Sequence, residues 1–163
     1  MPEKATLRKA KEDKREGKSA STQAGEFVHE EIEHIRHGKH GARSAKQAIA
    51  IGLSKARRAG VKLPVPAKGK ASAATRSKAK HDLEKGTTHR KPSAKRSKAE
   101  TAALKREGHA AASTTALSRQ ATKASAKRSV ASKKASAAKA VKTKGAAGRH
   151  RAAVKGVKTR AAR

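Results

Sequence analysis

The densest concentration of chemically versatile side chains is HEEIEHIRHGKH, residues 29–40, where His29, His34, His37 and His40 are interleaved with Glu30, Glu31 and Glu33. Imidazole and carboxylate together suit zinc-class metals. On a helix Glu30, His34 and His37 share one face, because residues three and four apart are neighbours. The two histidines of HEEIEH stand five apart, however, and a zinc-protease helix needs four to bring both to the same face. The chain has no Cys, so thiolate zinc sites and disulfides are excluded. The stretch therefore reads as a solvated helix face, with no metal and no cofactor expected. Glu26, Glu30, Glu31 and Glu33 are expected to pair with cations, on the basic end of a neighbouring helix or on a second copy.

No catalytic residue is expected, and no enzymatic activity. The serines lack a Gly-x-Ser-x-Gly elbow. GVKLPVPAKGK lacks the glycine spacing and the Lys-Ser/Thr ending of a phosphate-binding loop. Nothing in the composition promises a buried pocket able to shift a carboxylate pKa.

The stronger chemical signal is positive charge. The 163 residues hold 43 Lys or Arg against 12 Asp or Glu, a formal charge of +31. The imbalance sharpens along the chain, and after Glu107 there is no acidic residue at all. A block of one sign is the mark of an interaction segment, and its natural partner is a polyanion. Lys and Arg spaced by Ala, Ser and Gly can follow a phosphate backbone and release its counterions. Phe27 is the sole aromatic residue, so no platform exists for stacking single-stranded bases. No zinc finger or RNA-recognition motif is present.

The expected chemistry is sequence-independent binding of duplex DNA, as in a histone-like, nucleoid-associated protein that neutralises and bridges DNA. The residues expected to carry it are Lys55, Arg57 and Arg58, then Lys95, Arg96, Lys98, Arg119, Lys123, Lys127 and Arg128, then Lys133, Lys134, Lys139, Lys142, Lys144, Arg149, Arg151, Lys155, Lys158 and Arg160. RNA or ribosome-assembly binding is the alternative that uses the same charges. A protein-interaction role in plasmid maintenance, acting through residues 21–66, is the alternative that does not. No membrane partner is expected, because no apolar run is long enough to span a bilayer and the cationic segments lack bulky apolar anchors. The N-terminus has no apolar signal region, so the expected setting is cytoplasmic.

These charges need elements to position them. Ala24, Phe27, Val28, Ile32 and Ile35 recur at three- and four-residue steps and predict a helix over 22–37, capped by Ser21 or Thr22 and stopped by Gly38. After the loop GKHGAR, Ser44 and Gln47 make a capping box. Ala45, Ala48, Ile49, Gly52, Leu53 and Ala56 mark the face of a second helix over 45–59, closed by Gly60 and Pro64. VKLPVP is expected to run extended and fold back over that face. The larger apolar side chains are too few to order this hairpin comfortably by themselves. A homodimer through residues 21–66, or another partner, is expected to support it.

The remainder reads as weakly organised: a charged arm at 1–20, a polar basic linker at 67–96, weak helices near 97–107 and 114–128 within a basic segment 97–128, and a disordered polycationic tail at 129–163. SAKRSKA at 93–99 recurs as SAKRSVA at 125–131, a reused basic module. The expected class is mainly α and largely disordered, because low hydrophobicity with high net charge gives little to bury.

STQAGEFVHEEIEHIRHGKHGARSAKQAIAIGLSKARRAGVKLP, and KQAIAIGLSKARRAG within it, resembles a family of small basic bacterial proteins classed as a domain of unknown function. Members are loosely labelled DNA-binding or plasmid-stabilisation proteins. AALKREGHAAASTTALSRQA is similar to a segment of such proteins. The Ala/Lys-rich C-terminal part is similar in composition to the tails of linker histones and bacterial histone-like proteins, without the winged-helix core of a linker histone. The resemblance implies a bacterial setting and no defined activity.

Overall fold

The computed structural model describes residues 2–88 and 93–161, and the side chains of all of these except 87, 143 and 144. The described residues form seven α-helices and a 3-10 turn: α1 Lys4–Arg15, α2 Ala20–Arg36, α3 Ala45–Arg58, α4 Ala73–Thr88, α5 Ala94–Lys105, the turn Ala110–Ala112, α6 Thr114–Ala126 and α7 Val130–Ala161. The chain divides into two compact units, Met1–Gln120 and Ala121–Arg163.

Local sequence rules set the ends of the first three helices. Ser44 caps α3 by accepting a hydrogen bond from the Gln47 N–H at 3.3 Å, while the Gln47 side chain accepts one from the Arg43 N–H at 2.9 Å. Ser19, ahead of the expected Ser21 or Thr22, caps α2 by accepting from the Thr22 N–H. The C-termini of α1, α2 and α3 close alike. Gly17, Gly38 and Gly60 adopt positive φ of 70, 71 and 90°. The N–H of the following residue returns to a carbonyl five positions back: Lys18 to Asp13, Lys39 to His34 and Val61 to Ala56. This pattern satisfies carbonyls that a helix end leaves open.

Helix α2 lies between two apolar clusters. On one side Ala24 and Phe27 meet Ala10 of α1, Ala56 of α3 and the returning Val61 and Leu63, with Leu7, Ala20, Leu53 and Ala59 around them. On the other, Ile32 and Ile35 meet Ala42, Ala48, Ala111 and Ala112, with Val28 and Leu117 at the edge. The sole aromatic, Phe27, is fully buried where α1, α2, α3 and the VKL segment converge. Between the clusters the backbones of α2 and α3 approach closely: a Cβ added at Gly52 would stand 2.7 Å from Val28 Cα.

The expectation of a largely disordered chain is overturned. The arm at 1–20 forms α1 and buries Thr6, Ala10 and Asp13. The linker at 67–96 holds α4, which packs on α3 through buried Ala79, Asp82 and Gly86; residues 89–92 of that linker lie outside the described residues. The weak helices near 97–107 and 114–128 are α5 and α6, and the segment joining them buries Ala111 and Ala112. The expected disordered tail at 129–163 is α7 as far as Ala161, interrupted at Gly145, whose φ of 60° and ψ of −177° are not helical. Two physical facts account for the difference. Ala, Lys and Arg are strong helix formers, and helical hydrogen bonds need no distant partner. Ala also lets helices approach closely, so α1, α4 and the 110–112 turn cover the hairpin without large apolar side chains.

Candidate nucleic-acid interface

The three expected binding residues at the end of α3 all have partners within the fold, Arg57 buried, Lys55 half-buried and Arg58 exposed. Arg57 is 7% exposed and donates from Nε to the Leu63 carbonyl at 3.4 Å and from Nη2 to the Pro64 carbonyl at 3.3 Å. It thereby pins VKLPVP back onto the bundle. Burial pushes its pKa below the ordinary arginine value, opposed by Asp82, although a guanidinium stays charged under any physiological condition. Arg58 donates from Nε to Asp82 Oδ1 at 2.8 Å, and Ser54 donates to Asp82 Oδ2 at 2.6 Å. Asp82 is 2% exposed, so this carboxylate clamps α4 to α3. Lys55 lies 2.5 Å from Glu31 Oε2 and 3.7 Å from Glu30 Oε1. Of the four α2 acids, Glu30 and Glu31 thus pair with the basic end of the second helix within one chain, while Glu26 lies 3.9 Å from Lys9 of α1 and Glu33 pairs with Arg36 on α2 itself. For Lys55 and Arg57 a phosphate would have to compete with buried carboxylates or carbonyls, whereas Arg58 uses only Nε toward Asp82 and its side chain is 40% exposed.

The segment 104–117 ties into the hairpin through polar contacts as well. The Gly41 N–H donates to the Leu104 carbonyl and the Ala42 N–H to the Gly108 carbonyl, at 2.9 and 3.1 Å. Arg36 donates from Nε to the Ala112 carbonyl at 3.0 Å. At the other end, Glu3 accepts from His34 Nε2 and Lys39 Nζ at 2.8 and 2.9 Å. Those two bonds, His34 first, hold its carboxyl down to about 2. Lys18, bonded to Asp13 and Glu16, has its pKa raised, Asp13 contributing most.

The remaining expected residues are differently placed. Lys95, Arg96 and Lys98 are exposed on α5, where Glu100 is also exposed. Arg119 is exposed on α6 of the first unit. Within the second unit, Lys123 on α6 and Lys127 and Arg128 beyond it are exposed. Arg128 donates to the Ser132 carbonyl at 3.0 Å and to the Ser136 hydroxyl, which fixes it against the first turns of α7. Lys133, Lys134, Lys139 and Lys142 are exposed on α7 before the Gly145 break, and Arg149, Arg151, Lys155, Lys158 and Arg160 after it. The Lys144 side chain lies outside the described residues.

The cations of α7 step round the helix axis and do not gather on one stripe. No acidic residue occurs in 108–163 to neutralise them locally. Each helical stretch spans roughly 22 Å at 1.5 Å per residue. The break falls between two copies of one pattern, KAVKTK at 139–144 and KGVKTR at 155–160, whose Val141 and Val157 are 46% and 60% exposed. This sixteen-residue echo is a sequence signal for two matching cationic modules. Asp82 also had a signal: it is an acid in a basic segment, with Ala79 and Gly86 at helical spacing on the same face. Among the described residues no helix is long and apolar enough to cross a membrane.

No curated protein and no solved structure matches this chain. Residues 8–68, running from α1 through the hairpin and the returning segment after α3, match the model of a family of unknown function (DUF6496).

Proposed function

We propose that the protein is a non-enzymatic binder of duplex DNA that engages the phosphate backbone through the cations of α6 and α7, without reading sequence. One observation carries this: 15 Lys and Arg lie in residues 108–163 with no acid among them. In unit Ala121–Arg163 the described cationic side chains are exposed, all but Lys127 and Arg128 of them on helices. Charge of that density without internal carboxylates is relieved best by an external polyanion. The helical bundle formed by the first unit acts as the carrier, since Lys55 and Arg57 are committed to its packing and Arg58 shares its guanidinium with Asp82.

The test is a charge-reduced variant of the full chain, with Lys133, Lys134, Lys142, Lys155 and Lys158 changed to Gln. Gln matches Lys in helix propensity, so α7 persists. Binding of a mixed-sequence duplex should weaken strongly, and each phosphate left without its cation should lower the log–log salt slope by about 0.9. Unchanged affinity would remove α7 from the interface. Competition with structured RNA settles the polyanion: stronger capture by RNA would replace duplex DNA as the ligand.

A further inference from the structure

The Glu/His face of α2 is completed by the loop that follows it. Glu31 and His34 lie one turn apart, and the reversal at Gly38 brings His40 back beside them. Ligand atoms of Glu31, His34 and His40 come within 4.8 Å of one another. Glu31 is 0% exposed and Glu30 is 5% exposed. Neither oxygen of Glu31, nor Oε1 of Glu30, receives a directed hydrogen bond. Buried carboxylates left so are expensive, since each orphaned group retains its desolvation penalty. Lys55 makes ionic contact with Glu31 Oε2 and sits near Glu30 Oε1, but one ammonium offsets only one of the two charges. Glu31 Oε1 faces His40 Nε2 at 3.3 Å.

Both imidazoles are oriented from outside the cluster. His40 directs Nδ1 to the Gly41 carbonyl at 3.1 Å. His34 directs Nε2 to the Glu3 carboxylate at 2.8 Å, and the Glu3 N–H donates to Glu30 Oε2 at 3.1 Å. A ring nitrogen that donates to such a partner fixes the tautomer with the lone pair on the other nitrogen, as the outer partners of metal-bound histidines do. That inner nitrogen faces a carboxylate oxygen in each case: Glu31 for His40, and Glu30 at 4.0 Å for His34. Two acceptors facing each other call for a cation between them.

We propose that Glu31, His34 and His40, with Glu30 Oε1 as a fourth donor, bind one zinc-class divalent ion that clips the 38–43 loop to α2. Two imidazoles with carboxylates select such an ion over magnesium or calcium, which prefer all-oxygen sets. The sequence spacing hides the site because His40 comes from the loop, outside the helical spacing that links Glu30 and His34. The rival occupant is a proton, which would turn His40 into an imidazolium paired with Glu31.

The experiment titrates the full chain, stripped by chelator, with Zn2+ and separately with Co2+, whose absorption spectrum reports the donor set and geometry. One ion per chain should bind, with a nitrogen/oxygen Co2+ spectrum and a rise in melting temperature. His40→Ala should lower affinity by about 100-fold or more. Glu3→Gln alters a half-exposed outer partner and leaves the core intact; it should lower affinity by roughly 10- to 100-fold. His37→Ala, a residue 71% exposed, should change nothing. Absence of one-to-one binding, or affinity equal to that of the native chain in both His40→Ala and Glu3→Gln, would overturn the site in favour of the protonated pair.

Discussion

Replacing Gly52 by Ala tests the packing on which the bundle depends. In an open helix that change stabilises by about 0.8–1.0 kcal/mol, because Ala is the better helix former. Gly25 of α2 is such a position, with nothing within 4 Å of an added Cβ. At Gly52 the new methyl would stand 2.7 Å from Val28 Cα and 3.0 Å from the Phe27 carbonyl oxygen. These are backbone atoms and cannot rotate away, so α2 and α3 must separate. Both apolar clusters flank that contact, and overpacking of this kind costs about 1–3 kcal/mol. Gly52→Ala should therefore be destabilising by up to about 2 kcal/mol net, while Gly25→Ala is stabilising by up to about 1. Urea midpoints followed by far-UV circular dichroism give both values. If the two variants moved the midpoint in the same direction by the same amount, the close crossing of α2 and α3 would be refuted.

Asp82→Ala should release α4 from α3 by removing the partner of Arg58 and Ser54, at about 1.5–3 kcal/mol for hydrogen bonds to a buried charge, visible as reduced amide protection confined to residues 73–88. Gly145→Ala should raise helicity at 222 nm, since the backbone at φ 60° and ψ −177° is essentially glycine-only and Ala favours an uninterrupted α7; unchanged helicity would speak against the break. Lys18 has its pKa raised above the ordinary 10.5 by Asp13 and then Glu16. Its contribution is therefore complete below 10.5 and fades only as the pH climbs beyond it, so the stability gap between the native chain and Lys18→Met should be constant from pH 7 to 10 and shrink above that.

The parts of this fold legible in the sequence are those fixed by neighbours a few residues away. Ser44 as a cap and Gly38 and Gly60 as stops follow from backbone geometry, and the spacing of Phe27, Ile32 and Ile35 marks the buried face of α2. What covers that hairpin was not legible, because α1, α4 and the 110–112 turn dock through Ala10, Ala79, Ala111 and Ala112, whose small side chains give almost no hydropathic signal. Composition likewise misjudged α7, since a criterion built on burial ignores the local hydrogen bonds that sustain an Ala/Lys helix. The cations of α7 stood out in the sequence by their sign alone. The commitment of Lys55, Arg57 and Arg58 to internal partners depended on Asp82 and the Leu63 and Pro64 carbonyls, which only the tertiary arrangement brings into reach. The Glu31–His34–His40 cluster was hidden for the same reason, as a loop supplies one of its members.

The most direct test of the account is the salt dependence of binding between the full chain and two labelled duplexes of unrelated sequence, followed by fluorescence anisotropy. If about six phosphates are neutralised, affinity should fall roughly a thousandfold between 50 and 200 mM salt, along the same log–log line for both duplexes. Affinity that stays flat across that range, or that differs strongly between the two sequences, would contradict backbone recognition by the cations of α6 and α7.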